Sequence, residues 1–431
     1  MRQQDMERNI VIIGNGVAGI TAARFIRKNS YDRITVISSE SDHFFSRTAL
    51  MYIYMGHMTY QDTKPYEDWF WTKNRIDLIR DRVVAVDTDA RRLEMGSGKP
   101  VSYDVLIIAS GSQSNKFGWP GQDLRGVQGL YSLEDLEEME RQTVDISRAV
   151  VVGGGLIGIE MAEMLHSRHI PVTFLVRERS YMDYLLPAEE SAIVDAEIRA
   201  HQIDLRLSTE LAEITGNDAG HVNGVMTNHG ERIECGFVGL TSGVRPNVGF
   251  LKGSAIELDR GVLVNDRFQT SADDVYAIGD CAQFIDPTVA HRPIEQLWYT
   301  ARKHGKTVAR TICGSPTRYE RGAFFNSAKF FTLEYQTYGD IRSDLPDTQE
   351  TLLWHNRSGR RLVRINFDSE SRRVVGFNAF GVRLRHEVCE KWLLEGAVVD
   401  RVLPQLSLAD FDPECAEWRL ASAAAAINYS G

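Results

Sequence analysis

Asn9-Ile-Val-Ile-Ile-Gly-Asn-Gly-Val-Ala-Gly-Ile-Thr-Ala-Ala-Arg24 is the stretch that decides the fold. A short apolar run, of the kind buried in a parallel sheet, meets Gly14, Gly16 and Gly19. A helical pattern then runs through Phe25 and Arg27. Strand, glycine turn and helix in that order form a dinucleotide site. Gly14 makes the tight turn, Gly16 lets a diphosphate reach the backbone, and Gly19 lets helix and strand pack closely. The helix N-terminus offers free N–H groups and the positive end of its dipole to the phosphates. A second strand, Arg33 to Ile37, ends in Ser38-Ser39-Glu40, and Glu40 is the candidate acid for the ribose, with Ser39 beside it.

The same pattern returns at Ala149-Val-Val-Val-Gly-Gly-Gly-Leu-Ile-Gly-Ile-Glu-Met-Ala-Glu-Met-Leu165. Gly153, Gly155 and Gly158 take the three glycine positions, and Val172 to Val176 is the following strand. Two dinucleotide sites in one chain point to hydride transfer between two cofactors, because an enzyme with one such cofactor needs only one site.

Composition limits the remaining choices. A chain of 431 residues exceeds one ordinary core, so several domains are expected. Hydrophobic residues at 43% and charged residues at 25% suit a soluble globular protein. Forty-nine basic against 59 acidic side chains, net −10, argue against a nucleic-acid partner. Met1 to Arg8 is polar, and Ile10 to Ile13 is too short for a signal-peptide core, so a cytoplasmic protein is expected. No run approaches the roughly 20 apolar residues of a membrane helix. Cysteines at 235, 281, 313, 389 and 415 show neither CxxC nor metal-ligand spacing, which suits a reducing compartment.

Further motifs bring in a resemblance. Tyr103-Asp-Val-Leu-Ile-Ile-Ala-Ser-Gly-Ser112, Thr241-Ser-Gly-Val-Arg-Pro-Asn247 and Thr270 to Ala282, with its Val275-Tyr-Ala-Ile-Gly-Asp-Cys-Ala282 end, follow the glycine units in order. Together they resemble the FAD-dependent pyridine nucleotide-disulfide oxidoreductase superfamily. The nearest branch holds ferredoxin and rubredoxin reductases, the nitrite-reductase flavoprotein and NADH oxidases. The resemblance implies an α/β fold with two Rossmann-like domains. The FAD domain would comprise 1–113 and 244–320, the inserted NAD(P) domain 114–243, and a C-terminal α+β interface or cap domain 321–431. Strand-like runs in this last part are Phe324-Phe325, Phe330 to Tyr338, Leu362 to Phe367 and Val374 to Phe380. In relatives such a domain often forms a dimer interface.

The resemblance also implies roles. For FAD it marks Gly14, Gly16, Gly19, Glu40, Val83, Ala109, Gly111 and Gly279. Asp280 would accept a hydrogen bond from the ribityl chain. Arg47, within Phe45-Ser-Arg47-Thr-Ala-Leu50, would lie near the diphosphate, which suits a guanidinium. Trp298 to Gly305 resembles WxxAxxQG with His304 in place of Gln, and would open a helix toward the flavin pyrimidine. For NAD(P) the marked residues are Gly153, Gly155, Gly158, Glu160, Arg177, Arg179 and Gly243. Glu160 is the candidate catalytic residue of the nicotinamide pocket. Tyr52 stands where many relatives carry the lysine that partners this glutamate.

After Val176 come Arg177-Glu178-Arg179. Arginines there suit a 2′-phosphate through charge-assisted bonds worth about 1.5–3 kcal/mol each, which favours NADPH over NADH, although Glu178 intervenes. From Ser38 to Tyr103 there is no cysteine, so a redox disulfide is not expected and Cys281 reads as an apolar filler. Electrons must then leave the flavin for an external acceptor. An iron–sulfur or other small redox protein is the first expectation, and direct reduction of quinone or oxygen the second. A third is a non-enzymatic flavoprotein scaffold like apoptosis-inducing factor. Cys415 to Ile427 reads as a helix without the basic, bulky face of a membrane-surface anchor. Tyr66 to Trp71 reads as a helix burying its rings, and His43 and His57 are possible proton donors.

Overall fold

Ile10 to Ile12 and Leu106 to Ile108 are wholly shielded from solvent, and continuous apolar runs of this kind form strands covered on both faces. The computed structural model describes residues 7–411 and places these runs side by side. The chain divides into two units. One is built from the chain up to Asn115, Gly129–Arg141 and Gly243–Arg321, the other from Lys116–Gln128, Gln142–Ser242 and the chain from Gly322 on.

The first unit is organised by a parallel sheet in the order Val275–Ala277, Val105–Ile108, Asn9–Ile13, Arg33–Ser38, Ile76–Arg80. The helix Val17–Asn29 packs against the helix Trp298–Ile312. The latter buries Ala301, His304, Gly305, Val308 and Ile312, a stripe at helical spacing. A Cβ on Gly305 would lie 2.6 Å from the carbonyl oxygen of Ala18, so the crossing requires a glycine there. A small antiparallel sheet of Val83–Asp87, Arg92–Met95 and Val101–Ser102 completes this unit's main elements.

The second unit repeats the architecture. Its parallel sheet runs Asp204–Arg206, Val172–Leu175, Ala149–Val152, Phe237–Leu240, Val127–Gln128. The helices Leu156–Ser167 and Ala188–Ala200 accompany it. The same unit carries a five-stranded antiparallel sheet ordered Phe325–Phe330, Leu333–Gly339, Val374–Phe380, Leu362–Asp368, Gln349–His355.

Two expectations are corrected and one strand is added. The run Phe330 to Tyr338 is two strands, broken at Phe331-Thr332, where Phe331 adopts φ +50°. The turn is held from outside the sheet. Phe331 N–H donates to Glu163 (2.9 Å), Thr332 N–H to Glu197 (2.9 Å), and the Phe331 ring stacks on His201 at 4.3 Å. Gln349–His355 is a further strand at the sheet edge, whose mixed polar composition hides it in the sequence. In the aromatic stretch, helix covers only Trp69–Lys73. Trp71 is buried against Tyr66 and Phe70, whereas Trp69 is 59% exposed. Among the described residues no helix is long and apolar enough to cross a membrane, and no cluster of three or more His, Cys, Asp or Glu side chains could hold a metal. Cys415 to Ile427 lies outside the described residues.

The antiparallel sheet is tied to the helix Ala188–Ala200 by a buried ion pair. Arg364 donates to both carboxylate oxygens of Glu190 (2.7 and 2.9 Å) and to Glu189 (2.8 Å), and Asn378 adds a bond to Glu190 (3.2 Å). Glu190 is wholly buried and Arg364 is nearly so. Removing one member strands a buried charge, so Arg364→Met should lower the unfolding free energy by about 3–5 kcal/mol. The double variant Arg364→Met/Glu190→Met should recover much of that loss. Urea denaturation of the three proteins checks both values.

Candidate functional site

The two glycine turns have the same geometry. Gly14 has φ +108°, and a Cβ there would lie 2.1 Å from the carbonyl oxygen of Ala109; Gly153 has φ +116°, with the Thr241–Ser242 peptide 2.8–2.9 Å away. A Cβ on Gly19 would sit 2.2 Å from Gly14 O, and one on Gly158 would sit 2.2 Å from Gly153 O. By contrast, nothing lies within 4 Å of a Cβ built on Gly16 or Gly155. These two residues are the N-caps of the helices Val17–Asn29 and Leu156–Ser167, and no side chain caps either end. Each unit therefore presents uncapped N–H groups beneath an open cradle, which fits a diphosphate.

Strand register sets an acid at the same offset in each unit. Ile13 pairs with Ile37 and Val152 with Leu175; three residues beyond those partners stand Glu40 and Glu178. Sequence reading gives Glu178 only as the acid that intervenes between Arg177 and Arg179. Its Oε2 lies 3.5 Å from a Cβ built on Gly154, while Arg177, 71% exposed, donates to its Oε1 at 3.0 Å. Arg179 is likewise exposed. The repeat of the first unit's register is the signal that finds Glu178.

Glu40 and Arg47, read separately in the sequence, form a bidentate pair. Glu40 also accepts the Leu133 N–H at 2.9 Å. The Arg47 guanidinium lies 4.6 Å from the centre of the Tyr131 ring and donates to the Tyr131 carbonyl. Tyr131 escapes sequence reading because a lone tyrosine in a connecting segment has no motif. Its hydroxyl accepts the Ser112 N–H (2.9 Å) and donates to Asp280 Oδ2 (3.3 Å). Ser112 Oγ also donates to Asp280 (3.2 Å) and accepts from Gln296 (2.9 Å). Burial raises the Asp280 carboxyl above the ordinary value, opposed by the bonds from Ser112 and Tyr131 and by the charge of Arg47.

Ala109, Gly111 and Gly279 join these two features. Ala109 meets Gly14 and donates its N–H to Ile13, and Gly111, at φ +69°, faces the Tyr131 hydroxyl. Gly279, at φ +72°, precedes Asp280. Val83 is buried at the start of its hairpin strand. Trp298 opens its 15-residue helix, again with no side-chain cap, and Arg302 stacks on its ring at 5.0 Å. Gly243, expected with the NAD(P) residues, belongs to the first unit, where its carbonyl accepts the Asn115 N–H. In the second unit, burial and the neighbouring Glu163 push the Glu160 carboxyl up to about 7. Tyr52 stacks on His57 with centroids 6.2 Å apart. Cys235, Cys281, Cys313 and Cys389 are all unpaired, and Cys281 is wholly buried.

Known proteins resemble this chain in sequence and in fold. Rubredoxin-NAD(+) reductase of Ectopseudomonas oleovorans is 29% identical over 311 residues, covering 72% of this chain and 80% of that protein. The ferredoxin reductase component of chlorobenzene dioxygenase from Cupriavidus sp. (strain PS12) is 28% identical over 312 residues, covering 72% and 75%. The crystal structure of a ferredoxin reductase from Rhodopseudomonas palustris superposes with a TM-score of 0.79 at 22% identity, covering 97% of each chain, and so shares the fold. The pattern of the family described as pyridine nucleotide-disulphide oxidoreductase matches residues 8–305. With that match and two open glycine cradles, the chain belongs to the pyridine nucleotide-disulphide oxidoreductase family and is an oxidoreductase that uses FAD and NAD(P)H.

Proposed function

We propose that the chain takes electrons from NADH through FAD and delivers them to a small iron–sulfur protein of the rubredoxin or ferredoxin class. The observation that carries this reading is the pair of open glycine cradles in a chain whose residues 38–103 hold no cysteine. A disulfide relay has no residues to form it there, so electrons pass from the flavin to an outside acceptor. Relatives named as rubredoxin and ferredoxin reductases support the choice of acceptor. FAD, when bound, supplies the conversion of a two-electron hydride into single electrons.

The chain's own residues supply binding, orientation and charge. The N-terminus of Val17–Asn29 binds the FAD diphosphate. Glu40 would accept from the adenosine ribose while keeping Arg47 aimed along the diphosphate. Asp280, oriented by Ser112 and Tyr131, would accept from the ribityl chain. The uncapped N-terminus of Trp298–Ile312 offers N–H donors to negative charge on the flavin. In the second unit, the N-terminus of Leu156–Ser167 binds the nicotinamide dinucleotide, and Glu160 lines the nicotinamide pocket. FAD is assigned to the unit of the chain up to Asn115, Gly129–Arg141 and Gly243–Arg321, and NAD(P) to Lys116–Gln128 and Gln142–Ser242. The expected 114–243 insert therefore gives up Gly129–Arg141, whose Tyr131 and Leu133 bond to Asp280 and Glu40, and the chain from Gly322 on is the interface or cap.

The preference for NADH rests on Glu178. An acid at the strand end accepts from both ribose hydroxyls and repels a 2′-phosphate. This reading replaces the one from Arg177 and Arg179, whose side chains point into solvent.

Three measurements test these assignments. Anaerobic NADH should bleach the bound flavin, and steady turnover should require a rubredoxin or a [2Fe–2S] ferredoxin; equal turnover with a quinone alone would favour the small-molecule reading. The ratio of kcat/KM for NADH over NADPH should fall about tenfold or more in Glu178→Ala, and change little in Arg177→Ala. Finally, Glu160 holds its proton up to about pH 7 in the folded chain, and in the unfolded chain releases it near the ordinary glutamate value. The folded state then binds more protons between those values, so this group's contribution to stability is lost as pH rises across the window. The thermal midpoint of Glu160→Gln relative to wild type should therefore rise from about pH 4.5 to about pH 8, the two sides of that window; a constant difference would refute the shift.

A further inference from the structure

His304 is a wholly buried histidine that the proposed chemistry does not use. It sits among three aromatic rings: Phe268 at 4.6 Å, Tyr319 at 4.8 Å and Phe284 at 5.7 Å. Within this apolar cage both ring nitrogens have partners. Gly279 N–H points at Nδ1 from 3.1 Å, and Nε2 lies 3.3 Å from Glu295 Oε2. A backbone N–H can only donate, so Nδ1 must carry the lone pair and the proton must sit on Nε2, directed at Glu295. Glu295 is itself nearly buried. Its Oε2 also accepts from Tyr319 Oη (2.7 Å) and its Oε1 accepts the His291 N–H (3.1 Å). Burial opposes ionisation of Glu295, but the bonds from His304 and Tyr319 outweigh it and hold the carboxyl below its ordinary value. The carboxylate thus selects the imidazole tautomer, and the tautomer leaves one acceptor for one backbone donor.

That donor belongs to Gly279, in the left-handed turn immediately before Asp280. We infer that His304 is a positioning residue: fixed by Glu295 and Tyr319, it pins the Gly279–Asp280 turn so that the Asp280 carboxylate faces the ribityl chain. The inference deepens the flavin reading above and rests on it. Ordinary core packing would need the shape of the ring, whereas this role needs the acceptor at Nδ1.

Two experiments separate these roles. In protein labelled with ¹⁵N-histidine, the resonance absent from His304→Asn should show a pyridine-type Nδ1 and a pyrrole-type Nε2 at neutral pH. A protonated Nδ1 overturns the inference, whatever the variants do. The second experiment measures FAD affinity of the apoprotein by quenching of flavin fluorescence. His304→Asn keeps an acceptor at the δ position and should bind within about threefold of wild type; His304→Leu keeps bulk without an acceptor and should bind about tenfold or more weakly, the scale of one buried hydrogen bond. Equal weakening in both variants, or normal binding in both, overturns the positioning role alone. Wild-type protein that takes up no flavin overturns the flavin reading together with it.

Discussion

The tightest constraint in the first unit is between its glycine turn and the strand beside it. Where Gly14 would carry a Cβ, the carbonyl oxygen of Ala109 stands 2.1 Å away, and Gly19 repeats the restriction against Gly14 itself. No side chain fits between them, so the helix Val17–Asn29 starts close to the sheet and at a fixed angle. The absence of an atom above Gly16 follows from that angle and leaves the uncapped N–H groups facing open space. The second unit obeys the same rule at Gly153, Gly155 and Gly158. Two helix N-termini, each a partial positive charge with no internal partner, are the result.

Around the first of these ends the charged residues form one network, each orienting the next. Glu40 holds Arg47, Arg47 lies over Tyr131, and Tyr131 joins Ser112 in bonding Asp280. In such a chain each carboxylate retains a fixed direction without needing a ligand to impose it, which is preorganisation in the sense that matters for binding. Glu160 in the second unit is different. Burial and Glu163 both act against its charge, so its proton is held into the neutral range.

Departures from the resemblance fall at positions with a structural explanation. His304 replaces the usual glutamine, and the aromatic cage of Phe268, Phe284 and Tyr319 receives a ring there. Tyr52 replaces a lysine and stacks on His57. The Glu160 carboxyl is raised by burial and by Glu163.

The chain order of strand, glycine, helix and strand determined both nucleotide-binding units and the three glycine roles in each. These are local properties: a missing Cβ, a run of buried β-branched residues and a helix start lie within about thirty residues and need no distant partner. Motifs likewise mark Asp280 and Arg47. Only the tertiary structure decided the rest. Tyr131 meets Asp280 across 149 positions, and Glu40 meets Leu133 across 93. The turn at Phe331-Thr332 splits a strand-like run into a hairpin because Glu163 takes the Phe331 N–H and Glu197 the Thr332 N–H. Glu178 comes to the offset that Glu40 has from its strand pair only when Val152 is set against Leu175. In each case the deciding partner is brought near by the packing of sheets and helices, and linear spacing carries no record of that approach.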